Sequence, residues 1–174
     1  MTKLNKICFV LIVALNIFPS IGFCAGDDLL DTARKYQGIH KYSTLFTAQD
    51  VRNYLSNEGG IKNAIEWCKK TGVLKVYIES FRDGYQSERS VLINARDRFK
   101  KEGFEVSGCV TTTKVGKSST GWKDTISCYT DLPTQERLKS IFEYTAGMFD
   151  EIMIDDFWFT DCTCADCDNA RKSK

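Results

Sequence analysis

The chain has 174 residues, of which 43% are apolar and 12% aromatic, and this composition excludes a disordered protein. Its formal net charge is +1 and falls to about −1 without Lys3 and Lys6, so it offers no strong positive field to gather nucleic acid. The residues beyond an N-terminal leader suit one domain with its own core.

The first 25 residues have the layout of a secretory signal peptide. Two lysines precede an apolar stretch over residues 7–23, and small residues at 24–26 follow it, before a polar pair at 27–28. A membrane anchor is the alternative, but an apolar stretch of this length is marginal for spanning a bilayer. The sequence predicts a secreted or periplasmic protein with residues 1–25 removed and no membrane contact afterwards.

Residues 26–46 are predicted to be an N-terminal extension, and βα structure is predicted from residue 47 onward. Thr47 and Asp50 have the spacing of a helix cap, and Gly59-Gly60 ends this short helix. A second helix follows, with apolar residues at helical spacing. Residues 73–81 are then rich in β-branched and aromatic residues, which predicts a strand.

The same order of helix and strand is repeated twice. Helices are predicted over residues 87–103 and 133–149, followed by strands at 104–112 and 151–159. Helices that alternate with strands favour parallel pairing through right-handed crossovers. The predicted fold class is therefore α/β, with residues 47–174 forming about the first three units of a (β/α)₈ TIM barrel.

Three strands cannot close a barrel, which normally needs roughly 250 residues. We therefore expect an incomplete barrel, as in a truncated reading frame or a fragment; a small complete α/β domain is the alternative. Two longer loops, at 82–86 and 114–132, follow the carboxyl ends of predicted strands. Folds of this kind place their sites at that end of the strands.

Asp155 and Asp156 lie in the last predicted strand among Ile, Met, Phe and Trp residues. Neighbouring side chains of a strand point to opposite faces, so one of the two should point into the barrel mouth. Apolar surroundings predict a raised carboxyl pKa, as a general acid requires, and Trp158 or Phe157 offers a flat surface for a sugar ring. The alternative is that the two aspartates only cap the following turn.

Glu79 has the corresponding position at the end of the first predicted strand. A role in the site and a structural salt bridge with Arg82 or Lys75 are both open. His40 is the only histidine, and we expect it at the surface. A histidine-rich metal centre or a Ser-His-Asp triad therefore cannot be assembled from this chain.

Cys162, Cys164 and Cys167 form a C-x-C-x₂-C cluster. Three thiolates at this spacing can bind zinc, with a fourth ligand from Asp161, Asp166 or elsewhere. An exported chain meets an oxidising compartment, so disulfides with Cys128, Cys109 or Cys68 compete. Six cysteines allow fifteen complete pairings, and the sequence does not choose among them. Structural zinc is the one cofactor that the sequence suggests, and a metal or disulfide role is favoured over a catalytic thiol.

Three segments together resemble TIM-barrel glycoside hydrolases. Residues 149–167 contain a strand ending in aspartate, an aromatic run and the C-x-C-x₂-C cluster, and residues 76–84 and 103–108 resemble earlier strands of that barrel. The resemblance covers roughly residues 47–167, which is nearly all of the mature chain but only the first part of the family's barrel.

The resemblance implies hydrolysis of a carbohydrate by two carboxylates. Asp156 or Asp155 is expected to be one of this catalytic pair, and Glu79, Arg82 and Trp158 are candidates for substrate contact. The partner carboxylate of such barrels usually comes from a later strand, so a chain of this length is expected to have little or no activity. The alternatives are a non-catalytic carbohydrate-binding module and a small exported protein built around zinc or disulfides.

Overall fold

The structure is a computed structural model that describes residues 29–173, and the predicted signal peptide lies outside the described residues. In chain order the elements are α1 (Leu29–Tyr36), β1 (Ser43–Phe46), α2 (Ala48–Asn53), α3 (Glu58–Lys70), β2 (Lys75–Arg82), β3 (Tyr85–Gln86), α4 (Arg89–Lys101), β4 (Glu105–Val110), α5 (Leu132–Ala146), β5 (Ile152–Ile154) and α6 (Ala165–Lys172). No helix in this part of the chain is long and apolar enough to cross a membrane.

The strands form one sheet in the order β1-β2-β4-β5, and each neighbouring pair is parallel. The short strand β3 turns back from β2 and pairs with it in the antiparallel sense. The sheet does not close into a barrel. The predicted α/β class with parallel strands is thus confirmed, in a form consistent with part of a TIM barrel.

Helices α3 and α4 cover one face of the sheet. Val76 and Ile78 of β2 point to this face and are 0% exposed, in a core with Ile61 of α3 and Phe99 of α4. Alternation then sends Glu79 to the opposite face. The sheet therefore has an apolar side that is filled by helices and a polar side where charged groups gather.

Strand β1 lies in the segment that the sequence analysis predicts to be an extension, so within residues 29–173 the sheet has four parallel strands and not three. The strand is only four residues long, Ser43–Phe46, which is too short for its alternation to stand out. It is recognisable only by its partner, since Phe46 pairs with Ile78 in the middle of β2.

The signals at the helix ends are confirmed in part. Gly59-Gly60 does not end α2, which stops at Asn53; both glycines lie in the first turn of α3, where Asn57 caps the helix. Thr47 and Asp50 form the predicted capping box at the start of α2, with the Asp50 N–H donating to Thr47 Oγ1 at 3.2 Å. Pro133 lies in the first turn of α5, where Asp131 caps the helix. His40 is exposed, as expected.

Candidate functional site

Polar side chains from β2, β4 and β5 meet at the carboxyl end of the sheet. We call this group the strand-end network; its members are Glu79, Arg82, Thr111 and Asp155. Because the three strands are parallel, their carboxyl ends lie at one edge of the sheet, which is where βα folds place their sites. Three of the predicted site residues are thus brought together.

A β-bulge places Arg82 beside Glu79. Residues three apart in a regular strand point to opposite faces, but the pairing register with β4 shifts between Glu79 and Phe81. Ser80 and Phe81 both face α5, where the Ser80 hydroxyl lies 2.5 Å from Thr145 Oγ1. Arg82 consequently returns to the face of Glu79.

The carboxylate of Glu79 is 0% exposed and bonded at both oxygens. Oε2 accepts the Ala48 N–H at 2.7 Å and Arg82 Nε–H at 2.8 Å. Oε1 accepts from the Thr111 hydroxyl, with the Cys109 thiol at 3.8 Å. The salt bridge that the sequence offers for Glu79 is therefore present with Arg82, and these bonds hold the carboxylate in one orientation.

Asp155 is the carboxylate of the network that reaches solvent, with 23% of its side chain exposed, and Arg82 beside it is 22% exposed. Its Oδ2 accepts from Arg82 Nη2 at 2.7 Å and lies 2.9 Å from the Thr111 hydroxyl, whose single proton it shares with Glu79 Oε1. Its Oδ1 accepts the Asp156 N–H at 2.9 Å. The aspartate thus does both things the sequence allows, since it caps the following turn and also faces the polar edge of the sheet.

The raised pKa predicted for this carboxyl is wrong at Asp155. Partial burial works against ionisation, but hydrogen bonds from the Asp156 backbone and Thr111, with the charge of Arg82, outweigh it and lower the pKa of Asp155. The apolar residues around it in sequence suggested the opposite, because they did not reveal the donors that the fold brings in. Asp155 is therefore an ionised carboxylate, which suits a base or nucleophile better than an acid.

Asp156 and Trp158 are placed elsewhere. Asp156 is exposed and follows Asp155 after strand β5 has ended at Ile154, earlier than the strand predicted to residue 159. The Trp158 ring packs 5.8 Å from the ring of Tyr129 and 5.6 Å from that of Phe142 on α5. The structure therefore does not draw these two residues into the strand-end network.

Thr111 was missed by the sequence analysis. Its hydroxyl lies between Glu79 and Asp155 within hydrogen-bonding distance of both carboxylates. It follows β4 directly, and a polar residue at the carboxyl end of a parallel strand is the signal that could have identified it.

Four cysteines form a second group, which we call the cysteine cluster. Its members are Cys128, Cys162, Cys164 and Cys167, and their sulfurs all lie within 4.8 Å of one another. Cys128 comes from the loop between β4 and α5, and the other three come from the segment after β5. The cluster thus joins the two loops.

Two of the sulfur–sulfur distances match those of a tetrahedral metal site. The Cys128 sulfur is 3.8 Å from that of Cys164 and 3.6 Å from that of Cys167. Zinc–sulfur bonds of about 2.3 Å place the four sulfurs of a tetrahedral site about 3.8 Å apart. All six cysteines of residues 29–173 are free thiols, so the described chain contains none of the disulfides that the sequence allows.

The fourth sulfur is Cys128, and neither aspartate proposed as the fourth ligand takes that place. Asp161 is engaged in another contact, since its Oδ2 accepts the Trp122 N–H at 2.6 Å. Around the sulfurs, the Thr130 hydroxyl lies 3.1 Å from Cys167 and 3.3 Å from Cys128. Such hydroxyl contacts orient sulfur ligands around a metal.

The thiols of the cluster differ in acidity. Burial opposes ionisation of Cys162, but hydrogen bonds at the backbone of Cys164 and Thr120 lower its pKa to about 6. Burial raises the pKa of Cys167 to about 11. A bound cation would favour the thiolate form of every member.

Comparisons with known proteins point to one family of glycosyl hydrolases. A family model described as "probable glycosyl hydrolase, catalytic domain" matches residues 29–174. An uncharacterized protein of Saccharolobus solfataricus is 35% identical over 128 residues, which cover 70% of this chain and 21% of that protein. The chain thus spans about a fifth of that relative's length. No solved structure matches the chain.

Proposed function

The chain belongs to the family of probable glycosyl hydrolase catalytic domains, and from this premise we propose that it carries the nucleophile or base of a glycoside hydrolase site. The observation that supports the proposal is the strand-end network, in which Asp155 is ionised and partly exposed while its neighbours are fixed. Hydrolysis of a glycosidic bond needs one ionised carboxylate and one acid. Asp155 fills the first of these roles.

Glu79 and Arg82 act in this proposal by holding Asp155. Glu79 is fully buried, so a substrate would meet Asp155 and the exposed part of Arg82 first. Glu79 fixes the guanidinium through Nε, and the guanidinium fixes Asp155 through Nη2. A carboxylate that is held before substrate arrives needs less reorganisation in the transition state.

The acid that protonates the leaving group is proposed to come from Asp156 or from a strand beyond the four of this sheet. Asp156 is exposed next to Asp155. The relative from S. solfataricus is about five times as long as the stretch it shares with this chain. Additional βα units of a longer protein would complete the barrel and supply carboxylates at the same edge.

Release of reducing sugar tests the proposal. The full chain is incubated with soluble polysaccharides, and Asp155→Asn is compared with Asp156→Asn and with Asp150→Asn, whose side chain is 98% exposed, as a surface control. We expect Asp155→Asn to lower turnover by about 10²–10⁴, and Asp150→Asn to leave it unchanged. Equal turnover of the wild type and Asp155→Asn would refute the assignment. No release from any polysaccharide would refute catalysis by this chain.

We also propose that residues 1–25 direct export, because a basic start, an apolar middle and small residues follow one another there. N-terminal sequencing of the chain recovered from a bacterial host tests this proposal. A mature start near residue 26 in the periplasm or medium supports it, and an intact Met1 in the cytoplasm contradicts it.

The cysteine cluster is proposed to bind one structural zinc ion. Four thiolates leave no open position for a substrate, and zinc prefers this ligand set. Elemental analysis of protein prepared without reductant should find about one zinc per chain, and chelation should release thiols that were protected. Zinc-free protein with disulfides within the cluster would refute the proposal.

A further inference from the structure

The loop between β4 and α5 presents a tryptophan at the carboxyl end of the sheet. Trp122 is 55% exposed, although large aromatic side chains are usually covered. The loop follows β4, so it leaves the sheet at the same edge as the strand-end network. A single exposed aromatic residue is ordinary, and what sets Trp122 apart is how firmly its backbone is held.

Asp161 anchors this residue. The Trp122 N–H donates to Asp161 Oδ2 at 2.6 Å, and the Trp122 carbonyl accepts the Ile126 N–H at 2.9 Å. Gly121 leaves room for the anchor, since a Cβ at this position would lie 2.2 Å from Asp161 Oδ2. The Trp122 backbone is therefore bonded on both sides, and a side chain at position 121 would displace the Asp161 carboxylate from its N–H.

The anchor is joined to the segment after β5 at further points. The Thr163 N–H donates to Thr120 Oγ1 at 2.7 Å, two residues before Trp122. The cysteine cluster connects the same two segments through Cys128. An exposed side chain on a loop that is tied down in this way loses little entropy when a ligand orders it further.

The indole ring lies against a residue that adjoins the proposed nucleophile. Its centroid is 6.2 Å from that of Phe157, which is two residues after Asp155. The other exposed tryptophan of this region, Trp158, packs on α5 instead. The Trp122 ring therefore contacts the segment that follows Asp155, whereas the Trp158 ring contacts Tyr129 and Phe142.

We infer that Trp122 forms a carbohydrate subsite in which a sugar ring stacks on the indole face, next to the sugar unit that Asp155 serves as nucleophile or base. The inference rests on the proposed function and deepens it, because it assigns the stacking role to Trp122 and not to Trp158. The less polar face of a pyranose suits a flat aromatic ring, and a ring that is fixed in advance adds affinity at low entropic cost.

Calorimetric titration of the full chain tests the subsite. The probes are cellohexaose, xylohexaose, mannohexaose, maltohexaose, chitohexaose and hexagalacturonate, each titrated into wild type and into Trp122→Ala. We expect at least one probe to bind to the wild type and Trp122→Ala to weaken its binding about tenfold, which corresponds to about 1.4 kcal/mol. Trp122→Phe, which keeps a flat ring, should restore most of the affinity.

Matched variants distinguish stacking on Trp122 from a general loss of exposed aromatic surface. Trp67→Ala and Trp158→Ala remove equally exposed rings on α3 and after β5, and both should bind like the wild type. Gly121→Ala keeps the indole but disturbs its anchor, and it should weaken binding. Failure of the wild type to bind any probe, or equal losses for Trp158→Ala and Trp122→Ala, would overturn the inference.

Catalysis and stacking can fail separately. Binding that depends on Trp122 in a chain without measurable hydrolysis would support the subsite and refute the catalytic proposal. Hydrolysis that depends on Asp155 and is indifferent to Trp122→Ala, both in the Michaelis constant and in the affinity for the probes, would refute the subsite alone.

Discussion

The strand-end network and the cysteine cluster organise the same end of the molecule in opposite ways. The network is built on the carboxyl ends of strands β2, β4 and β5, and its two carboxylates, Glu79 and Asp155, share the guanidinium of Arg82. The cluster is built on two segments outside the sheet. Its four sulfurs face one another, and Arg171, which donates to the Cys162 carbonyl at 2.6 Å, is a single cation beside four possible thiolates.

The difference shows which part of the site depends on a bound ion. Opposite charges and hydrogen bonds from the chain itself stabilise the network, so it needs only the folded sheet. Four thiolates repel one another, and a bound cation turns this repulsion into a net attraction. The strand-end network should therefore persist without metal, whereas the loop between β4 and α5, which carries Trp122, should lose its order.

Removal of one sulfur tests this difference with the largest expected effect. Cys128→Ser should lower bound zinc from about one per chain to nearly none, because a tetrathiolate site loses most of its affinity with one ligand. Hydrogen exchange should then speed up in residues 114–131 and 157–167, while β2 and β4 stay protected. Cys68→Ala removes a buried cysteine outside the cluster, and this variant should retain about one zinc per chain. Equal loss of protection in β2 would contradict the expectation that the strand-end network persists without metal.

Loss of the buried carboxylate should have the next largest effect. Glu79→Ala leaves the Ala48 N–H and Arg82 without their acceptor, and we expect the free energy of unfolding to fall by about 3 kcal/mol. Arg82 still pairs with Asp155 and still contacts solvent in this variant, which limits the loss of stability. Urea unfolding measures the change, and Glu79→Gln serves if the alanine variant does not fold.

The control is a pair at the surface. Glu102→Ala breaks an exposed salt bridge with Lys69, and such pairs contribute little because water and salt screen them. A Glu79→Ala variant that unfolds at the same urea concentration as Glu102→Ala would show that the network does not stabilise the fold.

The sequence predicted the layered fold better than it predicted these two groups. Apolar periodicity marks α3, α4 and α5 and the centre of β2, because each element shows its own pattern. The partners of Asp155 have no such local sign. Arg82 reaches Asp155 only because a bulge reverses its face, and that bulge follows from pairing with β4.

The fourth sulfur escaped the sequence analysis for a related reason. The spacing of Cys162, Cys164 and Cys167 is a local motif, whereas Cys128 lies 36 residues before Cys164. It was one of three candidates for pairing, and the spacing did not distinguish it from Cys68 or Cys109. Only the fold shows that the loop after β4 returns to the segment after β5.

A smaller effect is expected from the hydroxyl next to the cluster. Thr130→Val keeps the shape of the side chain but removes the hydroxyl that contacts Cys167 and Cys128. Loss of such a contact typically lowers metal affinity about tenfold, and competition with a zinc chelator measures it. Ser140→Ala, on the exposed side of α5, is the matched loss of a hydroxyl and should not change affinity. Unchanged zinc affinity in Thr130→Val would show that the hydroxyl plays no part.

The smallest effect is a pH dependence in the network. The pKa of Asp155 is below its ordinary value of 3.8, so its ionised form stabilises the folded state. This stabilisation is complete above the ordinary pKa and is lost as the pH falls through the lowered pKa of the folded state. The difference in the free energy of unfolding between the wild type and Asp155→Asn should therefore decrease below about pH 4. Urea unfolding of both proteins at each pH cancels the titration of the other acids and any loss of metal. A constant difference down to the acid limit would mean that Arg82 and Thr111 do not favour the ionised aspartate.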